Sequence, residues 1–381
     1  MNAVEEIVPA SLVSALAKAA GPGEHPGWPS RATTDLVRES GLLGVMVPVA
    51  HGGAGGSPAL GNAVLERVAT ADPSAAIMLF LHGCVVARLD AFATEEQKRR
   101  WLPGIATGAL LAASAWSEPG STADKRTLRT KAKRGEDGGW VLSGAKSFAT
   151  GSVVADLFLV LTELDVPPAT PAAEPAPKSY GGDGQALFVV ERGAPGLQVP
   201  DETADLSGMR GSGTGFLTLR DCAVPGRNLL GTPEDTRRII GRPHELGLTL
   251  GAVSTGIAQS AVDLVVAHLA AKGRASDPVA QHRVVEMGIT VAAARAMTQT
   301  LPTTTTGVVA QAYATKVFAS RASEAVCRDA AWLLGSAGFM ESHEMNRIRR
   351  DAAAVNFMGP PNELCLELLR GSVDWEPRGD S

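Results

Sequence analysis

The spacing of apolar residues changes period twice along this chain, and that change restricts the folds open to it. Over about residues 11–111, apolar side chains recur at steps of three and four, the helical period. Leu60, Val64, Leu65 and Val68 make one such face, and Ile77, Leu79 and Leu81 fall in a second stretch. Asp72-Pro73 predicts the start of that second helix, because a turn-favouring Asp precedes a proline tolerated at the first helical position. Thr94-Glu95-Glu96 predicts another capped start, for a helix running to Trp101. From about 112 to 231 short β-prone runs take over, at 140–142, 157–161, 187–190 and 216–219, punctuated by Gly and Pro. Helical spacing returns over 236–371. Leu250, Val253, Ile257, Ala261, Leu264 and Val265 form one stripe; Phe318, Ala322, Ala325, Val326, Ala330 and Leu333 form another. Helices, then strands, then helices predict an α+β protein with a β-module between helical domains. The expected limits are 1–111, 112–231 and 232–381. The Pro, Ala and Gly-rich run 166–184 reads as an exposed excursion within the β-domain.

Composition removes several classes of function. Hydrophobic residues make 45% of the chain and charged residues 20%, so a globular core is expected. A net charge of −5 without a basic run argues against nucleic acid as a partner. Cys84, Cys222, Cys327 and Cys365 are far apart and form no CxxC pair, which reads as reduced thiols of a cytoplasmic protein. Glu5 and Glu6 replace the basic start of a signal peptide. The most apolar run, 75–87, contains His82 and is shorter than the roughly 20 residues of a membrane span. A soluble protein with no membrane contact is expected. Scattered histidines, with no metal spacing, Walker loop or GxSxG elbow, give no support for a metal site or a serine hydrolase. The run Gly52-Gly53-Ala54-Gly55-Gly56 lacks a βαβ setting and reads as a helix–loop turn.

The stretches around the β-domain carry the chemical information. Ser117-Glu118-Pro119-Gly120 ends an apolar run, and Lys146-Ser147-Phe148-Ala149-Thr150 follows the strand that begins near Trp140. Gly44-Val45-Met46-Val47-Pro48 precedes the glycine run, and Glu95-Glu96-Gln97-Lys98 leads to Leu102-Pro103. Asp124, Gly208-Met209-Arg210-Gly211-Ser212, Val224-Pro225, 335–339 and Arg350-Asp351-Ala352 follow in order. Together these segments resemble the acyl-CoA dehydrogenase family over nearly the whole chain. Ser117-Glu118-Pro119 is similar to that family's Thr-Glu-Pro, and Gly144 to Thr150 to its Gly-x-Lys-x-Trp-x-Thr. The resemblance implies an N-terminal helical domain, a middle β-barrel-like domain and a C-terminal four-helix bundle.

It also implies FAD. Trp116, Ser117, Phe148, Ala149 and Thr150 would meet the flavin, with hydroxyl or backbone donors at its edge and Phe148 covering a ring face in place of the family's tryptophan. Lys272 and Arg274 stand where the family places an arginine that reaches a neighbouring subunit's FAD. The implied reaction removes a proton α to a thioester carbonyl while hydride leaves the β-carbon. It needs a base and hydrogen bonds to the thioester oxygen. Where many members carry the catalytic glutamate, this chain has Gly359-Pro360-Pro361, so it resembles an atypical member lacking that residue. The Gly359 N–H is expected to bind the thioester oxygen, and Pro361 and Glu363 to lie by the flavin. In members with a relocated base, the glutamate opens the first long helix after the β-domain. Arg242-Pro243-His244-Glu245 is read as that opening and Glu245 as the base, with a first-turn carboxylate favouring the helix dipole as the other reading. A flavin monooxygenase of the same fold and a non-catalytic scaffold remain as alternatives. The implied partners are an acyl thioester on CoA or an acyl carrier protein, an electron-accepting flavoprotein or O2, and further copies of the chain in a homodimer or homotetramer.

Overall fold

A computed structural model describes residues 3–21, 29–165, 180–201, 203–304 and 306–372. Residues 166–179 of the excursion lie outside the described residues. Helices α1 (Ala3–Ile7), α2 (Ala10–Ala20), α3 (Arg31–Glu39), α4 (Pro58–Ala69), α5 (Pro73–Phe92) and α6 (Glu95–Ala106) come first. Strands β1 (Ala112–Ala115), β2 (Lys131–Arg134), β3 (Trp140–Ala149), β4 (Leu157–Leu164), β5 (Gln185–Glu191), β6 (Leu197–Gln198), β7 (Gly215–Val224) and β8 (Leu229–Leu230) follow. The chain then continues through α7 (Thr236–Glu245), α8 (Gly251–Ala271), α9 (Pro278–Thr300), α10 (Val308–Leu334), α11 (Ser336–Phe339), α12 (Glu344–Val355) and α13 (Asn362–Leu369).

The sequence signals for helix starts act as expected. Asp72 accepts the Ala75 N–H at 3.0 Å, and Pro73 sits in the first turn of α5. Thr94 and Gln97 cap α6 reciprocally. That helix passes its expected end at Trp101 because Leu102 and Ile105 extend the same buried face. α5 also outgrows the apolar run that announces it. At 20 residues and a mean hydropathy of 1.7 it is long and apolar enough to cross a membrane, as is α8. Burial accounts for both: 78% and 67% of the two windows are buried inside the protein. A helix apolar on all sides belongs in a core as readily as in lipid. The glycine run is a tight turn, since a Cβ on Gly53 would lie 2.2 Å from the Val47 carbonyl oxygen.

The middle sheet is open, which corrects the barrel-like expectation. Its path is β6-β7-β3-β2-β4-β5-β8, with β1 lying parallel to β4. β6 pairs with β7 and β8 with β5, and the two ends do not meet. Each end strand is two residues long and leaves few backbone groups unpaired, so closure is not needed to protect an edge. Strand period and turn spacing are the same for open and closed sheets, so the sequence carried no signal for closure.

β4 and β5 are buried on both faces. Leu157, Leu159, Leu161, Leu187 and Val189 meet Trp101, Leu102, Ile105, Ile239 and Ile240. The alternate residues Phe158, Val160, Phe188 and Val190 join the larger core with Trp140 and Leu142. Buried polar groups fasten the helices to this wall. The His82 Nδ1 accepts the Ala112 N–H at 3.0 Å, which leaves its Nε2–H to donate to the Leu43 carbonyl at 3.1 Å. Burial pushes His82 down to about 4, so it is neutral near pH 7. Arg38 bridges the Gly108 and Val154 carbonyls and pairs with Asp156 at 2.7 Å. On the far side, α10 packs against α8, α9, α12 and α13 to form the C-terminal bundle. Leu161 is fully buried between sheet and helices. Leu161→Ala is expected to cost about 2–5 kcal/mol, read as a lower midpoint in chemical denaturation.

Candidate active site

A buried ion pair fixes the first wall of the site. The Lys146 Nζ on β3 lies 2.7 Å from the Glu118 Oε1 in the turn after β1, with both side chains out of contact with solvent. Glu118 also accepts the N–H groups of Arg129 at 2.6 Å and Thr130 at 2.9 Å. Burial alone would raise the carboxyl, but Lys146 and these hydrogen bonds outweigh it and hold Glu118 below the usual range. Burial lowers Lys146 to about 8 against the pull of Glu118. Lys146 donates in addition to the Trp116 carbonyl at 3.4 Å, and the Ser147 N–H to that of Ser117 at 2.9 Å. The end of β1 is thereby locked beside β3.

These elements border a cavity of about 400 Å³, within the usual range for a ligand pocket. One face of α5 supplies Ile77, Phe80, Leu81, Cys84 and Arg88 at helical spacing. Ser114, Trp116 and Ser117 line it from β1, and Phe148 and Thr150 from the end of β3. Thr214 donates to the Thr150 hydroxyl at 3.2 Å. Phe148 has φ +53, a left-handed conformation rare for an aromatic residue, and sits in an irregular stretch of the β3–β7 register. Its ring is 59% exposed and packs on Phe216 at 5.7 Å. The opposite wall comes from the C-terminal bundle. A Cβ on Gly208 would lie 2.2 Å from the Arg350 carbonyl oxygen, and Asp351 accepts the Met209 N–H at 2.6 Å, so α12 is pinned to the β-domain. Gly359 and Pro360 then enter the cavity, and a Cβ on Gly359 would lie 2.9 Å from the Tyr180 hydroxyl.

The deepest polar feature is Arg88, 5% exposed. Pro243 inside α7 has no N–H, so the Ile239 carbonyl loses its helical partner. Arg88 supplies one: Nε donates to Ile239 at 2.9 Å, and Nη2 to Ile240 at 3.1 Å. Its guanidinium lies 4.5 Å from the centre of the Trp116 ring. His244, one residue beyond Pro243, lines the cavity, packs tilted against Tyr313 with ring centres 5.0 Å apart and has a buried Nδ1 with no partner among the described residues. Burial, then Arg88, push His244 down to about 4.

Of the residues singled out from sequence, Trp116, Ser117, Phe148, Thr150 and Gly359 meet at this cavity. Ala149 is buried in the β3–β7 ladder behind it. Pro361 starts α13, and its neighbour Pro360 faces the cavity instead. Glu363 is exposed on α13, 3.9 Å from Arg321. Lys272 and Arg274 are exposed beyond the end of α8, and Arg274 pairs with Asp277 at 2.7 Å. The segment 242–245 closes α7 and does not open a helix; the next one, α8, begins at Gly251. Glu245 therefore sits at the negative end of a helix dipole, exposed and 3.5 Å from Arg242. Sequence reasoning passed over Arg88, Tyr180 and His244. A lone arginine inside an apolar helical run was the one signal available for Arg88.

Models of the acyl-CoA dehydrogenase N-terminal, middle and C-terminal domains match residues 2–109, 113–222 and 244–373. The chain belongs to the acyl-CoA dehydrogenase family. It is 28% identical over 354 residues to cyclohex-1-ene-1-carbonyl-CoA dehydrogenase of Syntrophus aciditrophicus, covering 90% of this chain and 81% of that one. Butyryl-CoA dehydrogenase of Megasphaera elsdenii superposes with a TM-score of 0.82 at 22% identity, over 97% and 95% of the two chains. A prolyl acyl carrier protein oxidase superposes with a TM-score of 0.80 at 20% identity, over 98% and 99%. This protein is accordingly an FAD-dependent oxidoreductase of the acyl-CoA dehydrogenase type. The cavity suits a flavin: the Trp116 Nε1 and Ser114 Oγ, on lining residues, are buried without partners among the described residues and can serve the polar edge of a ring.

Removing one partner of the Glu118–Lys146 pair leaves a buried charge. Lys146→Met should lower stability by about 3–5 kcal/mol in chemical denaturation and release flavin more readily on gel filtration. Because the carboxyl of Glu118 is held low, the unaltered pair stabilises the fold above the ordinary carboxylate range. That stabilisation fades as pH falls through the folded value, which acid titration of the wild type should show.

Proposed function

We propose that this protein desaturates an acyl thioester between its α and β carbons, as an atypical member lacking the usual C-terminal glutamate. The observation that carries this reading is the convergence of Ser117, Phe148, Thr150, Gly359 and His244 on one cavity walled by all three parts of the chain. Bound flavin supplies the acceptor for hydride from the β-carbon. The Gly359 N–H, in a segment held against Tyr180, donates to the thioester oxygen and stabilises the negative charge that builds there as the α-proton leaves. Apolar residues of α5 exclude water from the acyl chain.

The α-proton goes to His244. Glu245, the base assigned from sequence, is turned about 100° away along the helix and paired with Arg242, whereas His244 offers an unpartnered nitrogen on a cavity-lining ring. Its imidazole is neutral above about pH 4 and so free to accept a proton. A base this weak depends heavily on stabilisation of the enolate by Gly359. No Asp or Glu is among the described residues lining the cavity, which also favours flavin monooxygenation as a second reading.

Support for the partners is chemical. Lys272 and Arg274 do not line their own cavity yet are exposed, as groups that serve a neighbouring subunit would be. Val279 and Ile289 on α9, and Trp332 and Phe339, expose large apolar surfaces suited to a homodimer or homotetramer. CoA and an acyl carrier protein are both candidate carriers, as the names of the two kinds of relative indicate. An electron-accepting flavoprotein or O2 would reoxidise the flavin, and a cytoplasmic setting fits four free thiols.

The purified protein should be yellow, and anaerobic addition of an acyl thioester should bleach it. His244→Gln should abolish bleaching with flavin retained, while Glu245→Gln keeps it; the reverse pattern returns the role of base to Glu245. With the imidazole as base, the bleaching rate should fall as pH drops through about 4. Bleaching by NAD(P)H or a reductase alone, followed by oxygen insertion, would establish the monooxygenase instead.

A further inference from the structure

The cavity contains one buried charge that desaturation of a plain alkyl thioester does not use. Ile77, Phe80, Leu81 and Cys84 lay an apolar lane along α5, and one turn further the lane ends at Arg88. The fixed partners of Arg88 are neutral: the carbonyls of Ile239, Ile240 and Cys84 and the face of Trp116. No described carboxylate pairs with it, and the ionisable groups it interacts with are the Cys84 thiol, the Tyr180 phenol and the His244 imidazole. Bolting α5 to the carbonyls of α7 needs donors but no charge, and a neutral glutamine could supply donors without burying an ion. A guanidinium has five N–H groups; the three bonds to carbonyls leave one on each Nη, the fork that a carboxylate accepts.

We propose that Arg88 reads an anionic group at the far end of the substrate, so that the acyl chain is a short dicarboxylic acid held as its monothioester. The inference rests on thioester oxidation as the activity and adds the class of acyl group. Shortness follows from the layout. A Cβ on Gly359, the residue proposed to bind the thioester oxygen, would lie 2.9 Å from the Tyr180 hydroxyl; the Tyr180 ring lies 6.0 Å from that of Trp116, and the Arg88 guanidinium 4.5 Å from the same indole. The two ends of the acyl group therefore flank one aromatic pair.

The test uses the flavin-loaded enzyme under anaerobic conditions. Succinyl-CoA and glutaryl-CoA are compared with the matching distal amides and with butyryl-CoA and pentanoyl-CoA, reading kcat/KM for flavin bleaching. A carboxylate preference of about 100-fold over the amide is expected. Arg88→Met should level that ratio. Should the variant fail to fold, the wild-type ratio decides alone. Equal or better use of the amide or alkyl thioesters overturns the proposal, as does a preference that persists in Arg88→Met. If no thioester bleaches the flavin, the desaturation reading has failed independently. A non-oxidisable 3-thia analogue with a terminal carboxylate then reports on Arg88 through its shift of the flavin spectrum. A shift that needs both the carboxylate and Arg88 upholds the anion site, and its absence overturns it.

Discussion

A lysine and a glutamate buried together hold the candidate site in shape. Lys146 and Glu118 join two strand ends far apart in sequence, and the backbone on either side of each contributes cavity-lining residues: Trp116 and Ser117 on one, Phe148 and Thr150 on the other. Two ions taken out of water are costly, and their attraction repays the cost when the remaining hydrogen-bonding capacity is filled. Here the N–H groups of Arg129 and Thr130 fill that of the carboxylate, and the Trp116 carbonyl accepts from the ammonium. Position is the product of this arrangement more than stability. With the pair in place, the irregular register and the left-handed Phe148 are held in one conformation.

A second constraint begins with a proline. Pro243 removes an N–H from α7, the Ile239 carbonyl is left without its helical partner, and Arg88 reaches across from α5 to satisfy it. That bond and its neighbour to the Ile240 carbonyl tie together the two helices bordering the deep end of the cavity and leave a cation there. Local chain chemistry, helix packing and the electrostatics of the site are three views of a single contact.

The broad architecture was legible in the sequence because period and punctuation are local properties. Asp72-Pro73 and Thr94 marked real helix starts, and the four β-prone runs fall within strands β3, β4, β5 and β7. Closure of the sheet was not legible, since it depends on whether β6 and β8 meet, and no local pattern encodes that. The residues flanking β1 and β3 were found through motif order. Arg88, Tyr180 and His244 were missed because their meaning is spatial: each becomes polar lining only when α5, α7 and the β-domain come together. Glu245 was misplaced by reading 242–245 as the start of a helix when it is an end, so the side chain at the neighbouring step faces the cavity.

The contact of Gly208 with the Arg350 carbonyl and the bond from Met209 to Asp351 clasp the β-domain to the last helices. Walls contributed by early, middle and late parts of the chain cannot enclose anything until that clasp has closed. No fragment of this polypeptide owns the chamber, and a nascent chain has none until Gly359 and Pro360 have joined the earlier walls. The capacity to hold a ligand thus comes after the separate parts have folded, and the bound molecule would in turn keep the three parts from drifting apart.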